Sequence, residues 1–148
     1  MAKIEASVVI DRPVEEVWKF VSDWSTYPKW VPTVLEVKQT SAGPLGVGAT
    51  VQSRYSSTRM PQSASRVTEY EPGRKITLYN TSPQRIRGST QVLSLENVEG
   101  KTKLTSAMEM KISGFYGLVG PWLIGRFRKA NEVSVSNVKR VMESEARS

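Results

Sequence analysis

The sequence contains no cysteine and no histidine. Without cysteine there are no disulfide staples and no thiolate metal sites, which fits a reducing, cytoplasmic setting. Without histidine the commonest metal ligand is missing, and so is the side chain best suited to proton transfer near neutral pH. No metal and no cofactor is therefore expected. Any catalysis would fall to carboxylates, Tyr, Lys, Ser or bound water. Acidic residues are also few: 14 Asp and Glu against 21 Lys and Arg leave a formal charge of +7. The basic residues are dispersed, as in Lys38, Arg54, Arg74, Lys101 and Lys139, and only Arg126, Arg128 and Lys129 form a tight group. No recognition-helix, zinc-finger or RNA-binding strand signature accompanies them, so they read as a solvated surface and not a nucleic-acid site.

Long hydrophobic runs are absent too. The most apolar stretch, "FYGLVGPWLIGRF" from Phe115, is about thirteen residues against the roughly 20 that span a bilayer, and it contains Gly and Pro. The opening "MAKIEASVVIDRP" has no h-region, because Asp11 and Arg12 interrupt its apolar run, so no export signal is expected. Glycosylation of "NTS" at Asn80 is then not expected either. A chain of 148 residues matches one domain, 1–148, large enough to bury a core.

What is present is two kinds of periodicity. In Lys3–Ile10 the residues Ile4, Ala6, Val8 and Ile10 alternate with polar ones, the pattern of a half-buried strand. Asp11 then fits an N-cap and Pro13 a first helical turn, followed by Val14, Val17, Trp18 and Val21 at helical spacing. In "DWSTYPKWVP", Trp24, Tyr27 and Trp30 recur every third residue, which suits a short helical turn whose aromatics dock on one side. From Val34 the period becomes two. Strands are expected over Val34–Gln39, Ala49–Ser56, Gln62–Glu71, Lys75–Thr81, Arg85–Glu96 and Lys101–Ile112, joined by "SAGPLGVG", "EPGR", "NTSPQ" and "NVEGK". Such short connections favour antiparallel neighbours.

After Gly114 the pattern is helical again. Gly120-Pro121 reads as a helix start, and Leu123, Phe127, Ala130, Ser134, Val138 and Val141 then form one stripe along a helix of about 25 residues. A helix that long needs a partner surface, and one face of the sheet is the only large apolar one available. The expected α+β layout is a strand, two short helices, a run of antiparallel strands and a long closing helix.

Two Gly-rich segments carry no chemistry. In "VEGKT" position 95 is Leu where a phosphate loop needs Gly, and the segment joins two strands, so it is a hairpin turn. "GPLGVG" precedes a strand and reads as a turn as well. No catalytic set is recognisable, and Glu69 and Glu109 read as solvent-facing strand positions. The closing helix is more informative. Its ends are bulky, but its middle presents Ala130 and Ser134, flanked by Asn131 and Asn137. Small residues facing a curved sheet leave unfilled volume. The sheet face assigned inward carries Val51, Ser53, Tyr55, Val67, Leu78, Asn80, Leu93, Leu104, Ser106, Met108 and Met110. Mostly apolar with a few polar groups is the usual lining of a small-molecule pocket.

The segment "SVVIDRPVEEVWKFVSDWSTYPKWVPTV", with "VGATV", "RVTEYEPGRKI" and the Gly-Pro-led C-terminal helix, resembles the START-like or SRPBCC superfamily in its polyketide cyclase/dehydrase and lipid-transport branch. The resemblance covers nearly the whole chain, and Trp18, Pro28, Trp30 and Pro121 match its framework positions. It implies the helix-grip fold: a seven-stranded antiparallel sheet curved around the C-terminal helix, with two short helices after the first strand and a cavity in between. It also implies a hydrophobic ligand such as a lipid, polyketide or quinone. The expected role is a binding or carrier protein. The expected entrance lies among Phe115, Tyr116, Trp122, the loop "SSTRMPQ" and the Trp24–Trp30 turn, and Phe127, Ala130, Asn131 and Ser134 line the helix side. Asn80, Ser53 or Tyr55 would orient the polar end of the ligand. Two other readings stand beside it. One is a cyclase or dehydratase using Tyr55 or a buried carboxylate; the other is transient contact with an anionic membrane through Phe115, Tyr116, Trp122 and Leu123 beside Arg126, Arg128 and Lys129.

Overall fold

A computed structural model describes residues 2–56, 61–83, 86–110 and 116–145, with the backbone alone for residues 2, 116–124 and 145. Seven strands make one antiparallel sheet: β1 (Ala2–Ile10), β2 (Val34–Gln39), β3 (Thr50–Tyr55), β4 (Gln62–Glu71), β5 (Lys75–Ser82), β6 (Thr90–Val98) and β7 (Lys101–Met110). Helix α1 (Val14–Val21), a single 3-10 turn (Trp24–Thr26) and α2 (Tyr27–Trp30) follow β1, and α3 (Tyr116–Glu145) closes the chain. The strand order is β1-β7-β6-β5-β4-β3-β2. Strands β2 to β7 form a meander of hairpins, and β1 adds to its far side by pairing with β7 from Ala2↔Met110 to Ile10↔Thr102. The sheet curls around the closing helix in the helix-grip arrangement that the sequence motifs imply.

Local chemistry accounts for the curl and the turns. Bulges interrupt the pairing between Val34 and Glu36, between Ala64 and Ser65, and between Val67 and Glu69. Each adds an unpaired residue to one strand and increases the local bend and twist. Between β6 and β7 the backbone is left-handed at both Glu99 (φ 53°) and Gly100 (φ 83°), the geometry of a two-residue hairpin turn. Asn97 Oδ1 accepts the Gly100 N–H at 3.0 Å. The "VEGKT" segment is thus a turn, as its spacing predicts.

The inner face of the sheet forms the core together with the helices. Ile10, Val17, Val21, Leu93, Leu104, Val135 and Val138 are among its fully buried members. Helix α3 packs on β1, α2 and β7. Its last turns are pinned to the end of β1. Lys139 Nζ donates to the Val9 carbonyl at 2.8 Å, and Glu143 Oε2 accepts the Asp11 N–H at 3.2 Å.

The structure corrects three local expectations. Pro13, not Asp11, occupies the position before α1, because β1 runs through Ile10 and leaves Asp11 too far from Val14 to cap it. Helix α3 begins at Tyr116 and is 30 residues long, so Gly120-Pro121 lies inside it and does not start it. A proline forbids only the bond its own N–H would make and the local clash that goes with it, so it does not by itself mark an end. Strand β6 begins at Thr90, after the turn at Gly88 (φ 92°), and not at residue 85, which lies outside the described residues.

Leu104 is fully buried and Leu35 is 53% exposed. Leu104→Ala is therefore expected to cost about 2–5 kcal/mol in urea unfolding, and Leu35→Ala less than about 0.5 kcal/mol. Equal effects at the two sites would mean that the inner face does not carry the core.

Candidate functional site

Cross-strand register places the eleven strand residues assigned inward, buried Met110 among them, on one face. Val51 lies opposite Ser65, Ser53 opposite Ser63, and Tyr55 two residues further along β3. Ser65 is opposite Asn80, and Val67 is opposite Leu78. Leu93 faces Ser106, Leu95 faces Leu104, and Gln91 faces Met108. Val51, Val67, Leu78, Leu93, Leu104 and Ser106 are buried, while Ser53, Tyr55, Asn80 and Met108 are half-buried. The parity of the strands was therefore legible in spite of the bulges. Ser63, Ser65 and Gln91 also belong to this face and were missed. Simple alternation from Val67 and Leu93 identifies all three.

On the helix side the outcome is mixed. Asn131 and Ser134 are buried with Val135, Val138 and Met142, and these five form the inward stripe of α3. Phe127 is 42% exposed and Ala130 is exposed as well. Both were expected to line the interior, and the structure places them at the surface. Residues Gly125 to Ala130 are all exposed, more than a full turn, so no side of this stretch of α3 is buried; the packing begins at Asn131, whose Nδ2 donates to the Ser106 carbonyl at 2.8 Å. Phe115 and most of the "SSTRMPQ" loop lie outside the described residues, as do the side chains of Tyr116, Trp122 and Leu123.

The polar groups of this interior are neutral and bonded to one another. Tyr55 Oη and Ser63 Oγ are 2.7 Å apart. Ser65 Oγ donates to Asn80 Oδ1 at 2.9 Å, and Asn80 Nδ2 donates to the Ser89 carbonyl at 3.1 Å. Gln91 Nε2 reaches Ser106 Oγ at 3.4 Å. Ionised groups are kept out. Every carboxylate whose side chain is described is exposed except Glu143, which is half-buried and paired with Lys139 at 2.6 Å. The Lys139 hydrogen bond, first among several influences, holds the Glu143 carboxyl below its ordinary range. Glu69, on the outer face as expected, is likewise held low by Lys75 and Thr77. Among the described residues no three His, Cys, Asp or Glu side chains are placed to hold a metal ion.

An aromatic wall closes one side of the interior. Tyr27 and Trp30 are buried at 5% and 1% exposure. Their ring centroids are 4.6 Å apart, and Trp24 stands 5.4 Å from Tyr27. The three-residue spacing of these aromatics thus does put them on one side of a short helical turn. Asn137 Nδ2 donates to the Trp30 carbonyl at 3.1 Å and so ties the wall to α3. Just beyond Trp30, a groove of about 290 Å³ opens between Val31–Thr33 and α3, lined there by Arg126, Lys129, Ala130, Val133 and Ser134. Its walls are mainly apolar and its rim carries two cations. Burial pushes the Tyr27 phenol well above its ordinary value of 10.0, and the nearby Tyr55 adds to the push.

Comparison with known proteins agrees with this geometry. The sequence profile described as "Polyketide cyclase / dehydrase and lipid transport" matches residues 1–143. No curated protein matches the sequence. Among solved structures, the di-domain ARO/CYC BexL from the BE-7585A biosynthetic pathway superposes with a TM-score of 0.78 at 17% identity, covering 97% of this chain and 47% of that one. The chain thus spans about half the length of the di-domain proteins it matches. TTHA0849 from Thermus thermophilus superposes with a TM-score of 0.79 at 10% identity, covering 94% of this chain and 95% of that one. The Polyketide_cyc-like protein Cgl2372 from Corynebacterium glutamicum has a TM-score of 0.64 at 25% identity, covering 97% and 93%. At such low identity the superpositions speak for the fold and not for a shared activity.

The raised Tyr27 pKa makes a pH prediction. Below about pH 10 folded and unfolded chains both hold the phenolic proton, and the group adds no slope. Above it the unfolded chain ionises while folded Tyr27 does not, so stability falls as pH rises. Urea unfolding across pH 9 to 11 should show that decline, and Tyr27→Phe should flatten it. An unchanged slope in the variant would mean that Tyr27 ionises normally in the folded protein.

Proposed function

Because the chain belongs to the polyketide cyclase / dehydrase and lipid-transport family, we propose that it binds and carries a small, largely apolar ligand between the inner sheet face and α3. One observation carries this reading: the described interior is apolar, dotted with neutral groups already paired with one another, and free of buried ions. That composition supports a binding pocket over an acid–base centre. Val51, Ser53, Tyr55, Val67, Leu78, Asn80, Leu93, Leu104, Ser106 and Met108 form the sheet side of the proposed site, with Asn131 and Ser134 on α3. The groove at Val31–Thr33 is the proposed way in. Removing about 150–200 Å² of ligand apolar surface from water contributes on the order of 4–5 kcal/mol before the costs of association.

A cyclase or dehydratase role is favoured less. Two of the solved relatives are ARO/CYC proteins of biosynthetic pathways. The chemistry attributed to such a role here would need a positioned proton donor or base, and the carboxylates with described side chains stand at the surface or in an ion pair. The phenol of Tyr55 is left as the candidate, and it is already engaged with Ser63.

A second reading, compatible with carriage, is delivery at an anionic membrane surface. It is supported by the outer side of α3, where Arg126, Arg128 and Lys129 are exposed together with Phe127 and Val133. Apolar side chains that dip into an interface beside cations that meet acidic head groups are the elements of such contact. Among the described residues no helix is long and apolar enough to cross a membrane.

Native mass spectrometry and solvent extraction of the purified protein test carriage: an apolar molecule should co-purify, or an apolar fluorescent probe should bind at about one per chain. A protein that yields nothing and takes up no probe would refute the proposal. Delivery is tested by co-sedimentation with vesicles. Binding should rise with the anionic lipid fraction, fall with salt, and drop severalfold in Arg126→Glu/Lys129→Glu. Sedimentation indifferent to lipid charge would rule it out.

A further inference from the structure

The buried polar side chains of the described residues satisfy one another with two exceptions. Tyr27 Oη and Trp30 Nε1 are buried without a hydrogen-bond partner. A buried donor left in this state costs about 1–3 kcal/mol, so two of them in adjacent rings call for an explanation. Their setting supplies one. Tyr27 and Trp30 both belong to the buried core cluster, and Tyr55 of β3 packs against that same cluster. Trp30 is tied to α3 through Asn137, and the residues that follow it line the groove. The unpartnered pair therefore lies in the core, directly before the residues that line the groove. The sheet's Ser63 and Asn80 already have partners inside the protein, whereas Tyr27 Oη and Trp30 Nε1 have none.

We infer that the Tyr27 hydroxyl and the Trp30 indole N–H are the polar contact of the binding site, donating to acceptor oxygen on a neutral, flat ligand such as a ketone or quinone. This rests on the carrier reading above. The chemistry selects the class. An indole N–H only donates, and a phenol that keeps its proton donates well, so the complement is an acceptor. The acceptor is neutral, since no ionised side chain is buried among the described residues and an unpaired charge there would be costly. A flat body suits the offset ring wall of Trp24, Tyr27 and Trp30. The polar end of the ligand is thus oriented by the helical turn, where the strand residues Asn80, Ser53 and Tyr55 were the expectation.

Calorimetry with 9-fluorenone and fluorene, which share a shape and differ by one carbonyl, tests the assignment. The protein should prefer fluorenone by roughly threefold to tenfold. Tyr27→Phe should abolish most of that preference while leaving fluorene binding in place, and Tyr79→Phe, on the outer face against Arg66, should keep it. Tyr27→Phe should also melt at or above the temperature of the parent protein, because its hydroxyl has no partner to lose. Equal binding of the two probes, or a preference that survives Tyr27→Phe, would overturn the assignment and leave carriage standing. So would a lowered melting temperature, which would show the hydroxyl already engaged inside the protein. Failure of both probes to bind, with nothing extractable, would remove carriage and this assignment together.

Discussion

Asn131 sends its amide from the middle of α3 to the carbonyl of Ser106, 2.8 Å away on β7. That bond stands where the closing helix enters the core: Asn131, Ser134, Val135, Val138 and Met142 are buried, whereas Gly125 to Ala130, one turn earlier, are all exposed. The helix makes its contacts with β1, β7 and α2, while the sheet curls through three bulges. The hydrogen bond also satisfies a buried amide in an apolar setting, where leaving it unpaired would be costly.

The interior that results is polar without being ionic. Tyr55 with Ser63, Ser65 with Asn80, and Gln91 with Ser106 form a line of neutral pairs across β3 to β7. Such pairs keep serines and amides buried at little cost, because each desolvated group gains a partner as it loses water. Each of these groups has a partner inside the protein. The unused donors lie instead on Tyr27 and Trp30, in the helical turn. In the proposed carrier this would let the sheet select the shape of the ligand and the turn its polar atom.

The outer surface follows different rules. The formal charge of +7 is spread over exposed positions, and the described ion pairs sit at the surface, where they contribute little. The concentration of cations on α3 beside exposed Phe127 and Val133 is the exception in this pattern. It borders the same groove that Val31, Pro32 and Thr33 line.

The sequence by itself determined the strands and the face each residue takes. A side chain two positions along a strand must return to the same side, so Val51, Val67, Leu78, Leu93 and Leu104 could be placed together without coordinates. It determined the absence of histidine and thiolate chemistry by composition, and the docking of Trp24, Tyr27 and Trp30 by their spacing. Where the helix enters the core was beyond it. Phe127 and Ala130 share a stripe with Ser134 and Val138, and only the folded chain shows burial beginning at Asn131, which reaches the Ser106 carbonyl. The extent of α3 was beyond it as well, since a proline forbids one hydrogen bond without saying where a helix starts. Least legible were the two unpartnered donors. Whether a buried polar atom has a partner depends on atoms far away in the chain, and that was settled only when the turn met the sheet and the closing helix.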